Sequence, residues 1–292
     1  MVGSCFMRSS GYAVALGLAA ICGALSLRES ARVQAQVDAS PHTEQFVRVN
    51  GIGLHYLDWG GKGDALVFLT GYGAQPHVFD HLASKFTAAF RVVALTRRGR
   101  APSDVPPAGY DLDTLTSDIK GLMDALTLTR VHLVAHSFGG SEATRLAAMY
   151  PDRIASVVYL DAALDSAAGE AVMKESPLPN PEPAPGSPYA QVRQWWTSYS
   201  PDYSTVRCPA LAIYAVQDKP PVPPEVPQGM KERAEAYWQT KWLPTVRQMI
   251  EKFRREAPRG RAVVLQNASH YLFQDREADV VREMTAFYGS LK

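Results

Sequence analysis

The sequence predicts an α/β fold, a mostly parallel sheet with helices on both faces. Three observations predict it. Short apolar, β-prone runs alternate with segments of helical periodicity from Ala65 to Leu160. One run, Val131 to Ala135, leads through His136 into Ser137-Phe138-Gly139-Gly140, a serine among small residues with a helix-like pattern behind it from Ser141 to Met149. The residue types that activate a serine recur downstream, each just beyond another apolar run. Parallel sheets place their sites at the carboxyl ends of the strands, where Ser137, Asp218 and His270 all fall.

The elements follow in order. Two short strands between Glu44 and Trp59 are joined by Asn50-Gly51, a hairpin signal. Ala65 to Leu69 reads as a strand, Val78 to Thr87 as a helix and Val92 to Leu95 as a strand. Leu112, Leu115, Ile119, Leu122, Met123 and Leu126 recur at helical spacing, and Asp111 or Asp113 suits the start of that helix. The serine strand and its helix come next, then a strand from Ile154 to Leu160. Arg207 to Ala215 and Ala262 to Leu265 read as the last two strands, and a final helix follows His270. Two regions interrupt the alternation. The first, after Asp161 and up to about Val206, carries Pro177, Pro179, Pro181, Pro183, Pro185 and Pro188 and then Tyr189, Trp195, Trp196 and Tyr199. Prolines at every second position favour an extended segment. The second, from Lys219 to Arg259, predicts a charged helix from about Lys231 to Glu256 broken at Pro244, with Trp238 and Trp242 one turn apart and facing protein.

Strand, sharp turn and helix around Ser137 make a nucleophile elbow. The turn is so tight that the residues two positions from the serine must be small. Ala135 and Gly139 fill those places. The turn lifts the serine hydroxyl clear of the sheet and aims the backbone N–H of Phe138 at a nascent oxyanion. A serine alcohol needs a base and an orienting acid, in the chain order Ser, Asp, His. His270, in Asn267-Ala268-Ser269-His270-Tyr271, is the base, and Asp218 is the first choice of acid. Asp161, directly after Leu160, is its rival, and Asp165 a more distant one.

These motifs resemble the α/β-hydrolase superfamily, in the branch of small esterases, lactonases, perhydrolases and carbon–carbon bond hydrolases. The resemblance runs from about Val47 to Phe287. Leu69-Thr70-Gly71-Tyr72-Gly73 is similar to the family's His-Gly-x-Gly oxyanion loop, with Thr70 in place of histidine. Arg97-Arg98-Gly99-Arg100-Ala101-Pro102-Ser103 is similar to its Asp-x-Arg-Gly-x-Gly-x-Ser turn, with Thr96 and Ala101 as departures. Tyr150-Pro151-Asp152-Arg153-Ile154 matches the usual link after the elbow helix. The resemblance implies an α/β-hydrolase fold with a short cap insertion over about residues 162–206. It implies Tyr72 and Phe138 as oxyanion donors and a serine esterase of carboxylesterase type, acting on a small, largely apolar ester or lactone through an acyl-enzyme. Trp195, Trp196 and Tyr271 are the candidate substrate-binding residues, although the lid aromatics would serve equally to pin the lid to the core. Amidase or proline-iminopeptidase-like action, carbon–carbon bond hydrolysis and perhydrolysis are alternatives. A ligand receptor with a vestigial triad is an alternative of another class.

Composition narrows the partners. Lys plus Arg number 30 and Asp plus Glu 29 in 292 residues, so a nucleic-acid or polyanion partner is not expected. No cofactor is expected, since Gly71-Tyr72-Gly73 lacks the rest of a dinucleotide loop. His77 and His81 are four apart on an expected helix, but no Glu follows in the H-E-x-x-H pattern and no metal is expected from them. Arg97, Arg98 and Arg100 read as scaffold rather than a carboxylate site. At the N-terminus, Arg8 precedes an apolar run from Gly11 to Leu27, and Val33-Gln34-Ala35 is a small-residue cleavage site. Residues 1–35 therefore read as an export signal that directs residues 36–292 to the periplasm or the medium. An uncleaved membrane anchor is the alternative, although the run falls short of the ~20 residues that span a bilayer. Cys5 and Cys22 lie in that segment, which leaves Cys208 with no disulfide partner and the reading of a small core residue.

Overall fold

The computed structural model of the chain describes residues 40–180 and 182–291. The expected signal segment, Cys5, Cys22 and Pro181 lie outside the described residues. Among the described residues, no helix is long and apolar enough to cross a membrane.

The chain begins with a hairpin of β1 (Thr43–Val49) and β2 (Ile52–Gly60). Asn50 and Gly51 turn it with φ of 52° and 82°, the left-handed pair that a two-residue hairpin turn needs. Next come β3 (Ala65–Leu69), a 3₁₀ turn (Pro76–Phe79), the short α1 (Asp80–Ser84) and β4 (Arg91–Leu95). The helix expected over Val78 to Thr87 is thus split and shorter. Pro76, in the first turn of the 3₁₀ stretch, starts it early. α2 (Leu112–Ala125) starts where Asp111 accepts from the Thr114 N–H at 2.8 Å. β5 (Val131–His136), α3 (Gly139–Met149) and β6 (Ile154–Leu160) follow.

Between β6 and β7 lie α4 (Ser166–Met173) and α5 (Pro188–Trp196), in the stretch read as a cap. Asp165 and Ser187 cap them through the Ala168 and Ala190 N–H groups. Then come β7 (Ala210–Val216), α6 (Gln228–Tyr237), a π-helical turn (Trp238–Trp242) and α7 (Leu243–Glu256). Pro244 does not break this helix. It sits in the first turn of α7, where its missing N–H costs little, and the π turn absorbs the offset. Trp238 and Trp242 stack at 5.7 Å, and Trp238 Nε1–H donates to the Gln217 carbonyl, so the pair faces protein as expected. β8 (Gly260–Gln266), α8 (Leu272–Asp275) and α9 (Glu277–Gly289) complete the chain.

The strands form one sheet in the order β1-β2-β4-β3-β5-β6-β7-β8. β1 with β2 and β2 with β4 are antiparallel, and every other pair is parallel. The strand alternation divides the core. Ala65, Val67 and Leu69 of β3 and Leu133 and Ala135 of β5 pack with Ile119, Leu122 and Leu146 on one face. Leu66 and Phe68 of β3 and Val134 of β5 pack with Phe79, Phe273 and Met284 on the other. Burial on both faces is why β3 reads as an unbroken apolar run and β5 as one interrupted by His132, whose Nδ1 lies 2.7 Å from the Ser156 hydroxyl. Cys208 packs against the first of these faces, and burial pushes its thiol up to about 11.

Candidate active site

At the carboxyl end of β5 the backbone turns sharply. Ser137 takes φ of 51°, a left-handed conformation strained for a residue with a Cβ. Its carbonyl accepts from the Gly140 N–H at 2.9 Å, so α3 starts immediately. Sterics fix the small residues around it. A Cβ on Gly140 would lie 2.0 Å from the Ala162 carbonyl oxygen, and one on Gly139 would lie 2.7 Å from that of Leu69. Ala135 is fully buried, and its methyl fits where the usual pattern has glycine.

The Thr70–Gly73 loop leaves β3, next to β5 in the sheet, and passes close to this turn. A Cβ on Gly71 would come within 3.2 Å of the Ser137 Cβ and 3.0 Å of His136 Nδ1. A side chain there would push His136 and Ser137 aside by a few tenths of an ångström, and glycine lets the loop pass close beside the serine. Arg97 fixes the loop from behind. Its guanidinium donates to the Thr70 carbonyl at 2.9 Å and the Gly71 carbonyl at 3.4 Å. The same group makes a bidentate pair with Glu142 of α3, both contacts at 2.6 Å, and lies 4.8 Å above the Phe138 ring. Arg98 makes a similar buried fork with Asp118 of α2. Both arginines are therefore scaffold, as the sequence suggested.

His270 follows β8, and its Nδ1 lies 2.7 Å from Asp161 Oδ2. A carboxylate only accepts, so Nδ1–H donates and Nε2 carries the lone pair. Asp161 sits directly after β6 with φ of 45°. Its N–H donates to the Ile213 carbonyl at 2.7 Å, and its Oδ1 accepts from the Ala215 N–H at 3.1 Å. The aspartate is thus clamped to β7 while its second oxygen meets the histidine.

This corrects the choice of acid. Among the described residues it is Asp161, not Asp218, that is hydrogen-bonded to His270. Trp238 Nε1–H takes the Gln217 carbonyl, and Gln239 Nε2–H takes that of Asp218. Asp218 instead lines a groove of about 210 Å³ with Leu243, Arg247 and Ile250, and none of Ser137, Asp161 and His270 lines it. Asp165, the third candidate, caps α4 and pairs with Lys252 at 2.6 Å.

His136 is a part of the site that sequence reasoning missed. It is fully buried, and its Nε2–H donates to the His270 carbonyl at 2.9 Å. Its ring centroid is 4.6 Å from that of His270 and 4.9 Å from that of Tyr271. Burial holds its pKa well below the ordinary histidine value, so it is the neutral Nε2–H form. Its place directly before the elbow serine was the available signal.

Aromatic rings connect the α5 region to the Thr70–Gly73 loop. Trp195 and Trp196 pack on Phe138 with centroids 5.7 and 5.6 Å away. Tyr189 stacks on Tyr72 at 4.7 Å, and Tyr72 meets Phe138 edge-on at 5.4 Å. Trp195 Nε1–H donates to the Tyr110 carbonyl at 2.8 Å. Trp195 and Trp196 therefore pin this segment down, at the very residue whose N–H the elbow presents. Tyr271 backs His270, with centroids 5.8 Å apart.

Residues 64–184 match the family model described as alpha/beta hydrolase fold. A relative named epoxide hydrolase 4 from Mus musculus is 34% identical over 129 residues, 42% of this chain and 36% of that protein. The 2-(acetamidomethylene)succinate hydrolase of Mesorhizobium japonicum is 35% identical over 101 residues, 35% of this chain and 36% of that protein. The chain thus spans just over a third of the length of either curated relative. Among solved structures, a membrane phospholipase A is similar in fold, with a TM-score of 0.63 at 21% identity over 94% of this chain and 96% of that one. With the strained serine elbow at the end of β5 and the eight-stranded, mostly parallel sheet that carries it, these likenesses agree on one assignment: the chain has the α/β-hydrolase fold, and residues 64–184 match that family's model.

Proposed function

We propose that the protein is a serine hydrolase that cleaves a carboxylic ester of a small, largely apolar substrate through an acyl-enzyme. The observation that carries this reading is the 2.7 Å contact between His270 Nδ1 and Asp161, which leaves the Nε2 lone pair as a base. In the proposed cycle His270 Nε2 takes the Ser137 hydroxyl proton as the oxygen attacks the carbonyl carbon. Asp161 stabilises the imidazolium that forms. The Tyr72 and Phe138 N–H groups hold the oxyanion. The imidazolium then protonates the departing alkoxide, and the alcohol leaves. Water, deprotonated by His270, releases the carboxylic acid and restores the serine.

The nucleophile itself argues for acyl transfer. A serine that opened an epoxide would form an alkyl ether, which water does not cleave under mild conditions. An acyl ester is readily hydrolysed. Thus the 34% identity over 129 residues with a protein named epoxide hydrolase does not carry that named chemistry to this chain. The half-buried rings of Tyr72, Tyr189, Trp195 and Trp196, which keep part of their surface open beside the elbow, support an apolar acyl or alcohol group. The N-terminal segment supports export, and intact mass of protein from the native host tests it through loss of the first ~35 residues.

The test of activity is covalent labelling. A fluorophosphonate probe should modify Ser137, and Ser137→Ala should lose both labelling and turnover of short-chain p-nitrophenyl esters while keeping its circular dichroism spectrum. Labelling that persists in Ser137→Ala overturns the proposal.

A further inference from the structure

One cluster of ligating side chains stands apart from the serine and its partners. His42 directly precedes β1, Glu44 lies in β1, and His77 lies in the 3₁₀ turn after β3. The donor atoms these three side chains offer all lie within 4.8 Å of one another. A tetrahedral zinc with bonds of ~2.0–2.1 Å separates its donors by about 3.4 Å, so small side-chain rotations close the set.

Each of the three is held by a further group in the way metal ligands are. His42 Nδ1 lies 2.9 Å from the Ser40 carbonyl, which only accepts. Nδ1 therefore carries the proton and Nε2 the lone pair. His77 Nδ1 lies 3.2 Å from Asp80 Oδ2, which gives the same tautomer and a carboxylate behind the ring. Glu44 Oε2 accepts from His55 Nε2–H at 3.1 Å. His55 is buried, and its Nδ1 meets the Thr96 hydroxyl at 2.8 Å. The sequence pairing of His77 with His81 missed this arrangement, because the partners of His77 come from β1 and the residue just before it.

We propose that His42, Glu44 and His77 bind one first-row divalent cation, with Zn²⁺ the best match to two imidazoles and one carboxylate. Two nitrogens and a single carboxylate exclude Ca²⁺ and Mg²⁺, which take oxygen donors. Glu44 is 57% exposed and His77 37%, so the ion has a path in and water completes its shell. The bound ion fastens the segment entering β1 to the turn that follows β3.

The experiment uses the full chain without a histidine tag, stripped by chelator and titrated with ZnCl₂ against a chromophoric zinc indicator. The expected result is one equivalent bound. His42→Gln and His77→Gln should each weaken binding ~10–100-fold, and Glu44→Gln about 10-fold. His81→Gln should match the parent chain. Circular dichroism of each variant confirms its fold. Co²⁺ should give the intense visible absorption of a tetrahedral site in the parent chain and lose it in His77→Gln. The proposal is overturned if His42→Gln and His77→Gln, both folded, bind Zn²⁺ as the parent chain does, or if the parent chain does not compete with the indicator.

Discussion

The Asp161 carboxylate bridges two elements. One oxygen accepts from the Ala215 N–H of β7 and the other from His270 Nδ1–H, 2.7 Å away. That double anchorage fixes both the histidine tautomer and the direction of its lone pair. Asp161→Asn keeps the shape but can offer its amide N–H to Nδ1, which stabilises the wrong tautomer. We expect kcat on a p-nitrophenyl ester to fall by ~10³–10⁴. Asp218→Asn should change it less than about threefold, because the loop of Asp218 is tied to Gln239. Steady-state kinetics of the two variants decides the point. A crippled Asp218→Asn beside an active Asp161→Asn would reverse it.

The Arg97–Glu142 pair joins the Thr70–Gly73 loop, the proposed oxyanion loop, to the elbow helix. Glu142 is almost fully buried, so its neutral replacement leaves an uncompensated guanidinium inside the protein. Glu142→Gln should destabilise the fold by about 3 kcal/mol in urea unfolding. It should also lower kcat ~10²-fold with KM nearly unchanged, because the loop N–H groups act on the transition state. Equal loss in kcat and gain in KM would point to general loosening instead.

Gly140→Ala should be more damaging than its single methyl suggests. The added carbon would lie 2.0 Å from the Ala162 carbonyl oxygen, a backbone atom that cannot swing aside. Either α3 or the end of β6 must shift, and Asp161 is attached to the latter. We expect a cost of about 3 kcal/mol and a parallel loss of ester turnover. Gly229→Ala, with nothing within 4 Å of the new carbon, serves as the control and should be close to neutral in thermal denaturation.

What could be read from the sequence follows how local each feature is. The elbow at Ser137 is one strand, one turn and one helix in succession, so the residues alone disclosed it. His270 was found by chain order. The acid was not, because Asp161 and Asp218 both follow strands of the same sheet. Their difference lies in tertiary contacts: Asp161 meets His270, whereas the Gln217 and Asp218 carbonyls are held by Trp238 and Gln239. The same limit hid His136, whose partner is a backbone carbonyl 134 positions along the chain. It also hid the meeting of His42 and Glu44 with His77. Pro244 misled for a related reason: proline ends a helix only if it falls in the interior, and here a π turn lets it open the next one.

The buried histidines set how stability responds to acid. His136, His132 and His55 all have pKa values lowered from the ordinary 6.5, in each case chiefly by burial. In the unfolded chain they take up a proton near that value, and in the folded chain only below it. Between the two values the unfolded state binds more protons, so stability falls as pH drops below about 6.5 and is fully present above it. Each such histidine contributes a slope of at most about 1.4 kcal/mol per pH unit within its window. The carboxylates with lowered values, Asp111, Asp124, Asp165 and Asp279, lose their contribution only below the ordinary 3.8, well under this window. Urea midpoints between pH 7.5 and pH 5 should therefore decline, and His136→Gln should decline less steeply. Glutamine can still donate to the His270 carbonyl, but it has no proton to gain. His132 and His55 keep part of the slope in the variant. Parallel declines for the parent chain and His136→Gln would show that His136 is as easily protonated folded as unfolded, against the burial seen here.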